Sequence, residues 1–163
     1  YVATLVVRVI PPIRRHPHQA IDSTNKPHTS QQLSGNIGEV ALAIIFEQVG
    51  CIYCTKMQTE VLAQKSINEY VRKNFDVVQM NLWGSRSVTD FDGKTMPEKA
   101  LAKRWGVIFT PTIVFIPEFA ALSTGKPGHE IKVASMPGAF GGLTFKAMFE
   151  WVEPEMQALL KSN

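Results

Sequence analysis

The feature that most constrains the fold is an apolar run that leads into a pair of cysteines. Val40 to Phe46 is continuously apolar, as expected for a central strand that is covered on both faces. Cys51 and Cys54 follow after a short loop, and the chain contains no other cysteine. A disulfide framework would need more cysteines at longer spacings. The pair therefore indicates redox or metal chemistry.

The segment after the cysteines predicts a helix and a second strand. Apolar residues recur three and four positions apart as far as Asn74, which favours one long amphipathic helix that begins at the cysteines. Val77 to Leu82 then has the composition of a buried strand. A strand, helix and strand in this order favour two parallel strands joined by a right-handed crossover.

The rest of the chain completes an α/β pattern of strands and helices. Its predicted elements are a hairpin tip at Asp92-Gly93, a helix from Pro97 to Trp105 that stops at Gly106, a strand from Thr112 to Ile116, an antiparallel strand from His129 to Ala134, and a helix from Leu143 to Lys161. Pro154 should kink or divide the last helix.

Composition favours one globular domain with an N-terminal extension. The chain has 163 residues, of which 45% are hydrophobic and 19% charged, enough to bury a core. Residues 11–36 contain four prolines and a polar cluster, which disfavour regular elements. We therefore expect an arm over residues 1–36 and a domain over residues 37–163.

Charge and hydropathy argue against two other classes of protein. The net charge of +3 is scattered, without the basic stripe that nucleic acid requires, so no nucleic-acid partner is expected. No apolar run approaches the roughly 20 residues that span a bilayer. The sequence starts at Tyr1 rather than Met, so a leader has either been removed or is absent from it.

The cysteine pair suits thiol–disulfide exchange. The thiolate is the nucleophile, and a helix N-terminus favours it because unpaired N–H groups and the positive dipole end point at the sulfur. We expect Cys51 to attack a disulfide and the deeper Cys54 to resolve the mixed disulfide. Two readings stay open beside this one: half of a metal site completed by His16, His18 or His28, which lacks a familiar zinc spacing, and simple free thiols.

Three separated motifs resemble the thioredoxin superfamily. They are Cys51-Ile52-Tyr53-Cys54, Phe109-Thr110-Pro111-Thr112 and Met136-Pro137-Gly138. The flanking segments Phe46 to Gly50, Asn81 to Gly84 and Val88 to Gly93 are similar to the thioredoxin-like proteins of bacterial sulfur-oxidation (Sox) clusters. The resemblance covers residues 38–160. It implies a thioredoxin fold, with a central mixed sheet flanked by helices, an N-terminal extension and an inserted hairpin.

The resemblance also implies roles for individual residues. Thr110-Pro111 would be the loop that carries a cis-proline beside the cysteines, and Gly138 would let a substrate chain approach. Tyr53, inside the pair, would join them in binding substrate. Both residues also have a purely structural explanation: Pro111 as a proline at the start of a strand, and Gly138 as a turn residue.

Two departures from typical thioredoxins concern the reaction itself. Gly50 replaces the tryptophan before the pair, and Ile52-Tyr53 replaces Gly-Pro, closer to the Pro-Tyr of glutaredoxins. The buried aspartate six residues before the first cysteine is Ile45 here. Glu47 is the nearest acid and a candidate for proton transfer, although a solvated loop glutamate explains it equally well.

The expected function is a periplasmic reductase of protein disulfides that needs no cofactor beyond the Cys51–Cys54 disulfide. In a Sox setting the substrate would be an oxidised or persulfidated cysteine on a carrier protein, with electrons from a membrane thiol transporter. Alternatives are an oxidase or isomerase, a Cys-x-x-Cys metal carrier, a non-catalytic adaptor, and a cytoplasmic location. We expect a monomer without a membrane span.

Large side chains near the pair have structural interpretations. Met57 should fill the core. The tryptophans Trp83, Trp105 and Trp151 should pack in the core or against the inserted hairpin, since large aromatic side chains usually serve burial. A position of Trp83 beside the active site is the alternative.

Overall fold

A computed structural model describes residues 41–117 and 125–161. The arm predicted over residues 1–36, and the boundary that follows it, lie outside these ranges and stay predictions. The strands are β1 (Ala41–Glu47), β2 (Phe75–Asn81), β3 (Ser87–Thr89), β4 (Thr95–Pro97), β5 (Thr112–Ile116) and β6 (Ala134–Pro137). The helices are α1 (Ile52–Lys56), a π-helical segment (Met57–Val61), α2 (Lys65–Asn74), α3 (Glu98–Arg104), α4 (Gly128–Ile131) and α5 (Gly142–Lys161).

Within the described ranges, four strands form one mixed sheet in the order β2-β1-β5-β6. Strands β1 and β2 are parallel, as the sequence predicted, while β5 runs antiparallel to both β1 and β6. The central strand β1 is buried along almost its whole length because it is covered on both faces. A β1 residue therefore faces one of two cores, according to its position.

The two cores lie on opposite faces of the sheet. Ala43 and Ile45 belong to the core formed with the π-helical segment, α2 and α5, in which Met57 is 2% exposed and the predicted core role of that methionine is confirmed. Ile44 and Phe46 face the other core, together with α3 and the hairpin. By the same alternation, Glu47 lies on the face that the π-helical segment covers, where Gln58 contacts it.

The long helix predicted after the cysteines is interrupted. The N–H of Leu62 donates to the Met57 carbonyl (2.9 Å), which closes a wider π turn, and the N–H of Gln64 donates to the Val61 carbonyl (3.1 Å). Gln64 then adopts an extended conformation (ψ 125°) and precedes α2. The periodicity persists because the residues before and after the break bury their apolar side chains in the same core.

The inserted hairpin and the helix after it were predicted correctly. Strands β3 and β4 pair antiparallel around a turn that contains Gly93, whose φ is +83°. Pro97 precedes the first residue of α3 in an extended conformation. Gly106, with φ +71°, follows the helix end in the left-handed region that favours glycine.

The strand predicted over His129 to Ala134 is wrong. A short helix, α4, takes its first part, and the strand that pairs with β5 is β6. Gly128 fixes this turn, because its N–H donates to Asp90 Oδ1 (2.9 Å) and a Cβ there would lie 2.0 Å from the Trp105 ring. These partners are distant in sequence, so the local pattern did not reveal them.

Helix α5 continues past Pro154 and is not divided there. Proline removes the bond to the carbonyl of Glu150, four residues earlier. Both residues are exposed, so water can satisfy that carbonyl and the helix tolerates the ring.

Candidate functional site

The ends of the four sheet strands meet along one edge of the sheet. Glu47, the last residue of β1, pairs with Asn81, the last residue of β2. Thr112, the first residue of β5, pairs with Phe46 on one side and with Pro137 of β6 on the other. The loops that follow β1, β2 and β6, and the loop that precedes β5, therefore lie side by side.

The cysteines lie where β1 leads into α1. Cys51 precedes the helix in an extended conformation (φ −76°, ψ 103°), and its Sγ accepts a hydrogen bond from the N–H of Cys54 (3.0 Å). The two residues form a disulfide, with their Cα atoms 5.2 Å apart. Cys51 is partly exposed, whereas Cys54 is 5% exposed. An incoming sulfur can thus reach Cys51 more readily than Cys54.

The loop before β5 contacts the same sulfur. The Thr110 hydroxyl donates to Cys51 Sγ (3.4 Å), and the Thr110 carbonyl oxygen lies 3.8 Å from it. The Thr110–Pro111 peptide bond is cis. The Pro111 carbonyl accepts a bond from the N–H of Gly138 (2.8 Å), and Gly138 has a φ of +101°, which favours glycine. The structure therefore brings Thr110, Pro111 and Gly138 together beside Cys51.

Glu47 lies at the end of β1 rather than in a loop. Its Oε1 accepts a hydrogen bond of 2.6 Å from Gln58 Nε2. Gln58 stands four positions after Cys54 on the same helical stretch, so both lie toward one helix face. Burial raises the pKa of Glu47 above its ordinary value, and the bond from Gln58 partly opposes that rise. A partly buried carboxyl group of raised pKa can accept and release a proton, and its bond to Gln58 connects Glu47 to the helical stretch that carries Cys54.

Exposed apolar side chains surround the cysteine pair. Tyr53, inside the pair, is 63% exposed. The others lie in the loops and the helix start at the same sheet edge. The whole set comprises Val49, Ile52, Tyr53, Trp83, Ile108, Phe109 and Phe140. Apolar patches of this kind typically mark a surface that contacts another molecule.

The three tryptophans occupy different environments. Trp105 is buried and stacks on Phe91 at 6.0 Å, as predicted. The sequence placed Trp83 and Trp151 in the core or against the inserted hairpin; they are 70% and 55% exposed, so the core placement is wrong for both. Trp83 instead follows β2 at the sheet edge, and its Nε1–H donates to Gln48 Oε1 (2.7 Å). It therefore lies beside the turn that leads to Cys51.

Sequence reasoning missed two glutamines of the site, Gln48 and Gln58. Neither belongs to a recognisable motif, and each acts by holding another side chain, Trp83 and Glu47 respectively. One signal could have found Trp83: it follows the carboxyl end of β2, next to the end of the parallel strand β1. Ligands of α/β sheets commonly bind at such carboxyl ends.

The described ranges contain neither a candidate metal cluster nor a candidate membrane span. Over residues 41–117 and 125–161, no group of three or more His, Cys, Asp or Glu side chains is arranged to hold a metal ion. The histidines considered as zinc ligands, His16, His18 and His28, lie outside these ranges. Among the described helices, none is both long and apolar enough to cross a membrane.

Comparison with known proteins gave one family and solved structures of one fold. A family described as a thioredoxin-like domain matches residues 31–126. A thioredoxin-fold protein from Helicobacter pylori is similar in structure (TM-score 0.54, 20% identity), over 76% of this chain and 81% of that one. A thioredoxin from Thermus thermophilus is similar with a TM-score of 0.51 and 23% identity, over 69% of this chain and 73% of its own. A comparison with curated proteins found no match.

These similarities confirm the thioredoxin fold that the sequence predicted. Such a fold with a Cys-x-x-Cys pair at disulfide distance supports thiol–disulfide oxidoreductase chemistry.

Proposed function

The chain belongs to the thioredoxin-like domain family, and from that premise we propose that it is a periplasmic reductase of protein disulfides. The observation that carries the proposal is the unequal exposure of the two bonded sulfurs. Cys51 is reachable and accepts hydrogen bonds from Thr110 and from the N–H of Cys54, whereas Cys54 is buried beneath it. Such an arrangement suits attack by the outer thiol and resolution by the inner one.

The reaction transfers two electrons to the substrate. The Cys51 thiolate attacks one sulfur of the substrate disulfide, forms a mixed disulfide and releases the other substrate sulfur as a thiolate. The Cys54 thiol then loses its proton and attacks Cys51 Sγ, which releases the second substrate thiolate. Both substrate sulfurs end as thiols, and the protein ends with the Cys51–Cys54 disulfide. An external dithiol donor must reduce that disulfide before the next turnover.

Residues around the pair assist in different ways. The Thr110-Pro111 loop and Gly138 would position the substrate backbone, and Tyr53 would contact it from the helix side. Glu47 would accept the proton of Cys54, directly or through a water molecule, and Gln58 would hold the carboxylate in place. The hydrogen bond between Gln58 and Glu47, and the raised pKa of Glu47, support this role.

The biological setting rests on the similarity to the thioredoxin-like proteins of sulfur-oxidation clusters. The substrate would be an oxidised or persulfidated cysteine of a carrier protein, and the electron donor a membrane thiol transporter. The dithiol itself carries the electrons, so the proposal includes no cofactor, and the protein would act as a monomer.

The reduction potential of the Cys51–Cys54 pair tests the direction of the reaction. It is measured by equilibration in glutathione or dithiothreitol buffers of known ratio. A potential near that of thioredoxin, about −270 mV, would support a reductase. A potential near about −120 mV, typical of a strong disulfide-forming oxidant, would reverse the direction. Failure to form the disulfide, with stoichiometric zinc or copper in the purified protein, would favour a metal carrier.

A trapping experiment tests the order of the two thiols. Cys54→Ser should accumulate mixed disulfides with partner proteins through Cys51, because the resolving thiol is missing. Cys51→Ser, the matched control, should accumulate far fewer since its remaining thiol is buried. Equal trapping by the two variants would contradict the assigned roles.

A further inference from the structure

Hydrogen bonds and packing contacts connect a continuous row of residues across the sheet edge. Trp83 bonds to Gln48, whose carbonyl accepts a bond from the Cys51 N–H (3.3 Å). Cys51 contacts Thr110, as described above, and the next residue, Pro111, bonds to Gly138. The row ends near Phe140, whose ring would lie 3.9 Å from a Cβ at Gly138. Trp83 and Phe140 therefore lie at opposite ends, with the reactive sulfur between them.

The length of this row suits a short extended peptide. It crosses the ends of β2, β1, β5 and β6, which is three strand spacings of about 4.8 Å, or about 14 Å. An extended chain advances about 3.3 to 3.6 Å per residue, so about four residues would cover the row. A substrate cysteine at Cys51 then places its chain neighbours over the apolar side chains on either side.

The backbone that carries Trp83 is held firmly. The Trp83 N–H donates to Asn81 Oδ1 (3.0 Å), and the Asn81 N–H donates to Glu98 Oε1 (3.3 Å). Glu98 is 4% exposed and pairs with Arg86 (2.5 Å). A Cβ on Gly84 would lie 2.0 Å from Glu98 Oε2, so the loop packs directly on this carboxylate. An indole that is 70% exposed is thus presented on an ordered loop, which reduces the entropy lost when a partner binds.

We propose that Trp83 selects substrates by receiving an aromatic or large aliphatic side chain one or two positions from the disulfide-bonded cysteine of an extended protein segment. The inference rests on the proposed reductase function and names its substrate class. The exposed chain neighbours of Cys51 are uncharged: they are Val49, Gly50 and Ile52. An aromatic or aliphatic residue gains contact area there, whereas a charged residue would lose hydration without gaining a partner.

Gln48 is the positioning residue of this arrangement. Its side-chain oxygen fixes the indole, and its carbonyl belongs to the turn that leads to Cys51. The same residue therefore connects the orientation of Trp83 to the position of the sulfur.

The test uses the pre-reduced protein, residues 1–163, and short peptides. The single cysteine of each peptide carries a chromophoric aryl thiol as a mixed disulfide. Each test peptide has Leu or Trp one or two positions before or after the cysteine. The reference peptide has Gly at that position and keeps the cysteine. Release of the chromophore in stopped flow gives the second-order rate constant. The wild-type protein should prefer the apolar peptides about tenfold. Trp83→Ala should abolish this preference on one side of the cysteine and retain it on the other, where Phe109 and Phe140 lie.

Three further variants test whether the peptide preference depends on the side chain of Trp83 in particular. Trp151→Ala removes another exposed tryptophan, in α5, and should retain the preference on both sides. Trp83→Phe should restore most of the lost preference, and Gln48→Leu should weaken it on the same side as Trp83→Ala. Equal rates for apolar and Gly peptides with the wild-type protein, or a preference unchanged in Trp83→Ala, would overturn the inference while the reductase function stands. If the wild-type protein reduces none of the peptides, the inference about Trp83 and the proposed reductase function both fail.

Discussion

The hydroxyl of Thr110 donates a hydrogen bond to Cys51 Sγ over 3.4 Å, although 59 positions separate the two residues. The N–H of Cys54 donates to the same sulfur at 3.0 Å. After reduction these two donors would face a thiolate, and bonds to a charged acceptor are stronger than bonds to a neutral one. The loop before β5 would then stabilise the nucleophile in addition to positioning the substrate.

Replacing Thr110 should therefore slow Cys51. A hydrogen bond to a charged group contributes about 1.5 to 3 kcal/mol, and about 1.4 kcal/mol corresponds to a factor of ten. We expect Thr110→Ala to lower the rate of alkylation of reduced Cys51 by iodoacetamide at neutral pH about tenfold. Thr110→Ser keeps the hydroxyl and should react nearly as fast as the wild-type protein. An Ala variant as fast as the Ser variant would show that the bond does not stabilise the thiolate.

Glu47 should determine the acid side of the pH–rate profile. If its carboxylate accepts the proton of Cys54, the resolving step slows as pH falls through the pKa of Glu47, which burial raises. General-base assistance contributes about 100-fold or more, so Glu47→Gln should slow resolution about 100-fold at neutral pH and remove the acid limb. Rapid-quench measurement of the mixed disulfide follows this step directly.

Two variants control for general effects at Glu47. Glu60→Gln removes an exposed carboxylate from the π-helical segment and should leave both rate and pH profile unchanged. Gln58→Leu removes the bond that holds Glu47 and should move the acid limb to higher pH, since that bond lowers the pKa of Glu47. An acid limb that persists in Glu47→Gln would mean that another group accepts the proton.

The core of the fold was predictable because its signals are local. The apolar run of β1 and the Cys-x-x-Cys pattern gave the strand, the helix start and the position of the disulfide before any contact was known. The sequence failed at α4 because Gly128, Trp105 and Asp90 determine that turn through contacts between distant segments. The alternation of apolar residues at His129 to Val133 favoured a strand, and tertiary packing overrode it.

The site was predictable where chemistry dictates residue type, and not where packing does. The sequence singled out Cys51 and Cys54, which the structure joins in a disulfide, and Pro111, which follows a cis peptide bond; few other residue types suit a redox loop. A glutamine such as Gln58 or Gln48 has many possible roles, and only its hydrogen-bond partner reveals the one it has. The sequence likewise did not predict that Trp83 is exposed to solvent, because large aromatic residues are usually buried.

Replacing the Asp90 carboxylate should lower the free energy of unfolding more than replacing its neighbour Asp92. It is 3% exposed, and its oxygens accept bonds from Arg104 Nη1 (2.6 Å), Trp105 Nε1 (3.1 Å) and the Gly128 N–H (2.9 Å). An amide at this position directs N–H groups at donors and leaves the guanidinium partly unpaired. Disrupting a buried ion pair typically costs about 3 to 5 kcal/mol, so Asp90→Asn should lower the free energy of unfolding by about 3 kcal/mol. Denaturant titration measures it, and Asp92→Asn, at a more exposed carboxylate of the same cluster, should cost less.

Replacing Asp76 by Asn should stabilise the protein, in contrast to the same replacement at Asp90. This half-buried residue of β2 has a pKa raised by burial above the model-compound value of 3.8. Because the folded state holds the proton more tightly than the unfolded state, the stabilising contribution is complete below the unfolded pKa and is lost as pH rises through the folded pKa. Asp76→Asn should therefore raise the free energy of unfolding at pH 7 by a few tenths of a kcal/mol, the usual range away from the core. The difference from wild type should vanish near pH 3, where both side chains are neutral, and thermal unfolding between pH 3 and pH 7 measures it. A stabilisation that is equal at both ends of this range would mean that the charge of Asp76 is not its cause.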